Sequence, residues 1–262
     1  MVPQNKVQKL YGLIGYPLSH SFSQKYFRDK FKMENIEGVD FLNFQIENIN
    51  QLDQVLFENP LLQGFTVTIP HKEKIINLLD EVDNHALQIG AVNAVRCFKT
   101  QGGNFLKGYN TDYYGFLNAL KPFLTGNEKT ALVLGNGGAA KAVIYALNNI
   151  NIKTIVVSRR IIDKPNFIQY HEINEQLLNE TDLIINTTPL GMWPNIDNCP
   201  SLPYSSIKKN TIAFDLVYNP ARTKFMDCAE ENGAIVSNGM IMLELQAEKA
   251  WEIFNMDTEN KI

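Results

Sequence analysis

The stretch LGNGGAAKAV (134–143) decides how the chain is read. An apolar run of strand character, TALVLG (130–135), ends in Gly135, Gly137 and Gly138, and a helix-forming run over 138–149 begins at once. Glycines let the main chain turn sharply and let a diphosphate approach it. The helix start supplies free N–H groups and the positive end of a dipole. The spacing is G-x-G-G-A-A, with Ala140 where the dinucleotide fingerprint has its third Gly or Ala. Glycines alone say little, but strand, loop and helix follow here in the order that the fingerprint requires.

The next strand, KTIVVS (153–158), bears on which dinucleotide fits. An NAD site carries Asp or Glu about 20 residues past the glycines, to hold the ribose 2′-hydroxyl. This strand instead runs into Ser158, Arg159 and Arg160. Two guanidiniums suit a doubly charged 2′-phosphate and can stack on adenine, which favours NADP over a plain solvated pair. Asp163, just beyond, keeps NAD open.

Outward from this point, apolar runs of strand length alternate with amphipathic runs of helix length. Toward the C-terminus the pattern predicts a helix over 172–180, strands over 182–187 and 211–216, a helix over 221–232 and a strand over 234–237. A long amphipathic helix over 240–256 either closes this domain or packs back on the preceding one. Toward the N-terminus it predicts strands over 10–15, 40–46, 64–69 and 91–98. Helices are expected there over 21–34, 48–58, 71–80 and 111–124, with Phe22, Tyr26, Phe27 and Phe31 as one apolar face. Such alternation argues for an α/β fold built of βαβ units with mostly parallel sheets. The polar stretch TGNEKT (125–130) reads as a candidate domain boundary.

Composition narrows the function classes. The 262 residues suffice for roughly two modest domains. A 45% hydrophobic and 20% charged chain can bury a core, and a net charge of −4 lacks the footprint of a general nucleic-acid binder. No apolar run approaches the ~18 residues of a membrane span, and the start MVPQNKVQKL has no apolar secretory core, so a cytoplasmic protein is expected. Cys97, Cys199 and Cys228 are odd in number and far apart, as reduced thiols would be. His20, His71, His85 and His171 show no zinc-site spacing, so no metal is expected.

Four stretches of the N-terminal part place polar residues where a plain core would not. GYPLSHSFS (15–23) follows a strand with Pro17, Ser19, His20, Ser21 and Ser23; either of the last two serines, taken singly, is a helix cap. TVTIPHKE (66–73) puts Thr68 and Lys72 around Pro70, where a lone lysine is ordinarily solvated. GAVNAV (90–95) carries Asn93 inside an apolar run, where its amide must be satisfied. GYNTDYYGF (108–116) places Asn110, Thr111 and Asp112 at a helix start, where an aspartate alone is a cap.

Together with LGNGGAAKA, VVSRR, NTTPLGM (186–192) and MLELQA (242–247), these stretches resemble the shikimate dehydrogenase family, in its order, from about Gly15 to Gln246. The resemblance implies an N-terminal α/β substrate-binding and catalytic domain (1–110), with a helix at about 240–262 packing back on it. It also implies a Rossmann-type NADP-binding domain (111–239) and a cleft between the two. The implied reaction is the NADPH-dependent, reversible reduction of 3-dehydroshikimate to shikimate. The implied ligands are small molecules, with no nucleic acid or membrane partner, and the implied assembly is a monomer or homodimer. By the same resemblance, Ser21 and Ser23 hold the substrate carboxylate, with Tyr218 near it. Thr68, Asn93 and Gln246 bind hydroxyls, and Lys72 and Asp112 form the catalytic pair. Gly135, Asn136, Gly137, Gly138 and Ala139 make the phosphate loop; Ser158, Arg159 and Arg160 meet the 2′-phosphate; Thr187, Met192, Leu216 and Gly239 line the nicotinamide side.

The chain departs from the family pattern in four places. Gln24 stands in place of Pro, Asn136 in place of a small residue, and Ile241 in a stretch usually richer in glycine. The second arginine beyond Arg159 is missing, with Arg160 as its substitute. Two alternatives remain: a quinate/shikimate enzyme or paralogue using NAD(P), and a non-catalytic dinucleotide sensor. The presence of both Lys72 and Asp112 argues against the sensor.

Overall fold

The computed structural model describes residues 7–18 and 21–256, so Ser19 and His20 lie outside the described residues. The chain forms two compact units, one of Met1–Thr111 with Ala247–Ile262, the other of Asp112–Gln246.

The first unit contains β1 (Lys9–Gly15), α1 (Phe22–Met33), β2 (Val39–Gln45), α2 (Leu52–Glu58), β3 (Leu62–Val67), β4 (Glu81–Val82), α3 (Asn84–Ile89), β5 (Ala94–Thr100) and β6 (Gly103–Tyr109). The sheet order is β2-β1-β3-β5-β6-β4. β1 runs parallel to β2 and β3, whereas β5 is antiparallel to both β3 and β6. The sheet is therefore mixed, with three of its five pairings parallel. Side chains alternate across it: Leu10 and Ile14 enter one core with Phe65 and Val67. Tyr11 and Leu13 enter another with Phe27, Phe31, Phe41 and Phe254. The expected aromatic face of α1 is real at its centre, where Phe27 stacks on Phe41 at 4.5 Å.

In place of the helix expected over 71–80 there is a short 3-10 stretch, Lys74–Leu78. The chain is drawn out of it into β4, because the Asp80 N–H donates to Leu106 O and the Leu106 N–H donates to Asp80 Oδ2. The strand expected over 91–98 starts at Ala94, and β6 and α3 were not expected.

The second unit contains α4 (Asp112–Leu120), β7 (Thr130–Leu134), α5 (Gly138–Asn149), β8 (Lys153–Val157), β9 (Phe167–Ile168) and α6 (Glu175–Asn179). It continues with β10 (Leu183–Asn186), β11 (Ile212–Asp215), α7 (Lys224–Glu230), β12 (Ile235–Ser237) and α8 (Met240–Phe254). Every strand pairs in parallel, in the order β12-β11-β10-β7-β8-β9. Counted from β7, that is the 3-2-1-4-5-6 arrangement of a doubly wound dinucleotide-binding sheet. Ala131 and Val133 fill a core on one face and Leu132 and Leu134 a core on the other, as a parallel sheet covered on both sides requires. The polar stretch 125–130 lies inside this unit, because Phe116, Ala119 and Leu120 of α4 join its core. α8 belongs to both units, through Gln246 to the second and from Ala247 to the first.

Candidate active site

The first unit collects its polar residues at one sheet edge by topology. β1 and β3 are parallel and end together; β5 is antiparallel to β3, so its start lies beside the end of β3. The carbonyl of Asn93, just before β5, accepts the Val67 N–H at 2.8 Å, and its own N–H donates to Tyr109 O at 3.0 Å. Its side chain grips Thr111 in the buried interior: Oδ1 accepts the Thr111 N–H at 2.6 Å, and Nδ2 donates to Thr111 Oγ1 at 2.9 Å. The residue after this clamp is Asp112, the first of α4 and itself buried.

Thr68 follows β3, its N–H donating to Ile14 O at 2.9 Å and its carbonyl accepting from His71 N–H. Lys72 is half-buried, and its carbonyl accepts the Val92 N–H at 2.7 Å. The turn that carries both is thus tied to β1 on one side and to the chain before β5 on the other. His71, fully buried, adds a side-chain bond to Ile46 O at 2.8 Å. Ser21 precedes α1 but makes no side-chain cap, and its Oγ is buried with no hydrogen-bond partner among the described residues. An orphaned buried hydroxyl is costly unless a ligand completes it. Ser23, on the first turn of α1, is partly buried. Gln24, the departure at this helix start, donates to Phe41 O at 3.1 Å and so ties α1 to β2.

In the second unit the fingerprint loop lies between β7 and α5. Gly135 has φ +117, and a Cβ there would stand 2.5 Å from Thr187 Oγ1, so local packing alone demands glycine. Gly137 is different. Its φ of −92 and ψ of −174 suit any residue, and a Cβ would meet nothing within 4 Å. No contact among the described residues requires glycine at 137; the close approach of a ligand would. α5 begins at Gly138 with no side-chain cap, so no side chain caps its first N–H groups. Ala139 follows, half-buried, and Asn136 is exposed. Arg159 and Arg160 are exposed beyond β8, where the Arg160 N–H donates to Ser158 Oγ at 3.1 Å and shapes the turn. These features fit a dinucleotide phosphate and a 2′-phosphate.

The neighbouring strand ends are laced together. Thr187 Oγ1 donates to Leu134 O at 2.7 Å, the Leu216 N–H to Asn186 O at 2.9 Å, and the Gly239 N–H to Val217 O at 3.2 Å. Gly239 touches this backbone directly, since a Cβ would fall 2.1 Å from Leu216 O. Met192 is 42% exposed after Gly191, which has φ +88; Ile241 is exposed on the first turn of α8. Tyr218 is half-buried, and burial raises its phenol pKa, which keeps the hydroxyl neutral. Gln246 is buried on α8, with Nε2 donating to Leu243 O at 2.9 Å. Beside it α4 crosses α8 closely, for a Cβ on Gly115 would stand 2.6 Å from Met242 O.

The sequence reading missed three residues here: Asp215, Asn186 and Thr223. Asp215, ending β11, is fully buried and accepts from Asn186, Val217 and Thr223. Its sequence signal was a carboxylate inside the apolar run TIAFDL. Asn186 and Thr223 carry no comparable signal, because each matters only through this long-range contact.

A 3-2-1-4-5-6 parallel sheet with a glycine loop at its first crossover, joined to a second α/β unit rich in polar strand ends, defines a dinucleotide-binding two-unit α/β protein. Residues 13–95 match the family model described as "Shikimate dehydrogenase substrate binding domain". The chain is 39% identical to the NADP(+) shikimate dehydrogenase of Clostridium perfringens, over 94% of this chain and 92% of that one. It is similar to the crystal structure of shikimate dehydrogenase from Aquifex aeolicus, with TM-score 0.82, 33% identity and coverage of 97% and 94%. It is also similar to the Thermus thermophilus enzyme in complex with NADP(H) and shikimate, with TM-score 0.80, 29% identity and coverage of 94% and 93%. The chain belongs to the shikimate dehydrogenase family.

Proposed function

We propose that this chain catalyses the NADPH-dependent, reversible reduction of 3-dehydroshikimate to shikimate, a step toward the aromatic amino acids. The observation that carries the reading is Gly137, whose open main chain before α5 is left free by packing for a ligand to approach, in a chain 39% identical to an enzyme named for this reaction.

NADPH, when bound, supplies the hydride. The chain's task is to hold the ketone and to manage one proton. As the carbonyl oxygen gains negative charge it needs a donor, and an ammonium can both stabilise it and release a proton. Lys72 takes that part and recovers the proton in the oxidation. Asp112 accepts a substrate hydroxyl and orients the lysine. The Ser21 and Ser23 hydroxyls and the neutral Tyr218 phenol donate to the substrate carboxylate. Thr68, Asn93 and Gln246 bind the ring hydroxyls. Main-chain N–H groups at 137–139 receive the diphosphate, and Arg159 with Arg160 the 2′-phosphate. Thr187, Met192, Leu216 and Gly239 border the nicotinamide.

The reading extends to a cytoplasmic monomer or homodimer with small-molecule ligands only. No helix of the described residues is long and apolar enough to cross a membrane.

The test is a four-way assay of shikimate and quinate with NADP and NAD, followed at 340 nm. Shikimate with NADP should give the highest kcat/KM. Equal or better turnover of quinate, or of NAD, would replace this assignment with the quinate/shikimate alternative, and no turnover of any pair would leave a sensor.

A further inference from the structure

Resting on the NADP reading above, we propose that Asp215 is the positioning residue for the nucleotide-side loops of the second unit, so that cofactor affinity follows its ionisation. Its carboxylate accepts three hydrogen bonds from three segments. Oδ1 accepts Asn186 Nδ2–H at 2.9 Å and the Val217 N–H at 3.0 Å; Oδ2 accepts the Thr223 hydroxyl at 2.6 Å.

Each partner passes the constraint on. Asn186 Oδ1 accepts from Thr188 N–H at 3.0 Å and from Thr188 Oγ1 at 2.6 Å, which shapes the turn between Thr187 and Met192. Val217 stands between Leu216 and Tyr218. Thr223 is the N-cap of α7, its Oγ1 accepting the Met226 N–H at 3.4 Å. One buried carboxylate therefore organises the chain after β10, the chain after β11 and the start of a helix.

All three donors are neutral, so dipoles alone hold the anion. Burial pushes the Asp215 carboxyl up to about 6, against the pull of its three donors. The ionisable group that faces it is Tyr204, from the turn over 204–206, with Cys199 and Cys228 beyond. Burial raises the Tyr204 phenol far above neutrality, so it adds no charge. From β10 and α7 the facing groups, Asn186 and Thr223, are uncharged. On protonation Oδ2 must donate to Thr223 Oγ1, whose own hydrogen has to turn away. Hydrogen bonds to the anion are roughly twice as strong as those to a neutral acid, so the three segments are then held more loosely.

The experiment is NADP+ affinity, read by fluorescence titration from pH 5 to 8, in wild type, Asp215→Asn and Thr223→Val. Asparagine keeps an acceptor for Asn186 and Val217 but cannot ionise. The 2′-phosphate titrates near pH 6 itself, but that contribution is common to all three proteins. Between pH 7.5 and 5, wild-type Kd should rise about three- to tenfold more than that of Asp215→Asn, the scale of losing charge assistance on these bonds. Thr223→Val removes a donor that favours the anion, so its acid limb should move to higher pH. The pH profile of kcat at saturating NADP and shikimate should be the same in wild type and Asp215→Asn, because Lys72 handles the proton in both. An Asp215→Asn protein with the full wild-type acid limb overturns the proposal, as does an unshifted limb in Thr223→Val, which decides alone if the asparagine variant does not fold. Failure of the wild type to bind NADP+ at any pH sinks the NADP reading itself, a separate outcome.

Discussion

Gly135 and Gly137 are two residues apart, yet they should respond oppositely to the same substitution. At Gly135 alanine must adopt φ +117 and place its Cβ 2.5 Å from Thr187 Oγ1, a hydroxyl already committed to Leu134 O. A left-handed non-glycine conformation costs about 1–3 kcal/mol, and displacing that hydroxyl about 1 kcal/mol more. A loss of about 3 kcal/mol lowers Tm by roughly 6–12 °C in a protein of this size. At Gly137 the backbone is extended and the space open, so alanine fits without a clash. Stability should change by no more than about 1 kcal/mol, because the lost freedom of the unfolded chain is offset by the poorer helix cap that alanine makes. Binding should suffer instead, because the methyl group would stand where the diphosphate is proposed to approach: KM for NADP should rise at least about tenfold, equivalent to about 1.4 kcal/mol, with KM for shikimate little changed. Thermal unfolding and steady-state kinetics on the two variants separate the effects. An unchanged KM for NADP in Gly137→Ala would refute the idea that a ligand requires this glycine, and an unchanged Tm in Gly135→Ala would refute the clash.

Lys72→Ala should lower kcat by about two to four orders of magnitude while KM for shikimate moves far less; near-normal turnover would remove Lys72 from the chemistry. Arg159→Ala with Arg160→Ala should raise KM for NADPH and leave weak NADH use unchanged, whereas equal losses would show that these side chains do not read the 2′-phosphate. Gly115→Ala should destabilise by about 1–3 kcal/mol through overpacking between α4 and α8, and urea midpoints that match wild type would contradict the close crossing. Asp215→Asn should gain on wild type by about 2 kcal/mol as pH rises from 4 to 7: the native carboxyl titrates near 6 and the free one near 3.8, so between these values the folded state holds a proton that unfolding releases. Urea midpoints at the two pH values check the sign, and a variant that loses stability relative to wild type as pH rises refutes it.

The second unit was largely legible because its signals are local. There β7, β11 and β12 are each a short apolar run followed by a turn and a helix, and the glycine loop announces its own conformation. The first unit was less so. Its β5–β6 hairpin closes around Gln101 and Gly102, and reversing β5 is what brings Asn93 beside the end of β3. Nothing in the period of GAVNAV distinguishes that direction from a parallel one. The 71–80 segment carries helical spacing, but its fate was settled by pairing with Leu106, distant in sequence. Ser21 looked like a cap from spacing alone, and only the packed structure shows its hydroxyl left without a partner among the described residues. The Asp215 network was hidden for a related reason. Asn186 lies 29 residues from it and meets it only because β10 and β11 pair in register.

That network also sets two demands against each other. A hydrophobic residue at 215 would suit the buried end of β11 better, as the raised carboxyl pKa indicates: burial outweighs three donors and favours the proton. No apolar side chain could accept from Asn186, Val217 and Thr223 together; Asn186 would keep only its 3.4 Å bond to Leu190 O, and the other two donors would lose the acceptor they have here. The carboxylate is thus poor for global stability above pH 6 and good for local order at the same pH. Such a conflict between levels is where function is expected to lie. Here the segments that benefit carry Thr187, Leu216 and Tyr218, so what ionisation of Asp215 costs the fold is returned as order in the loops proposed to receive cofactor and substrate.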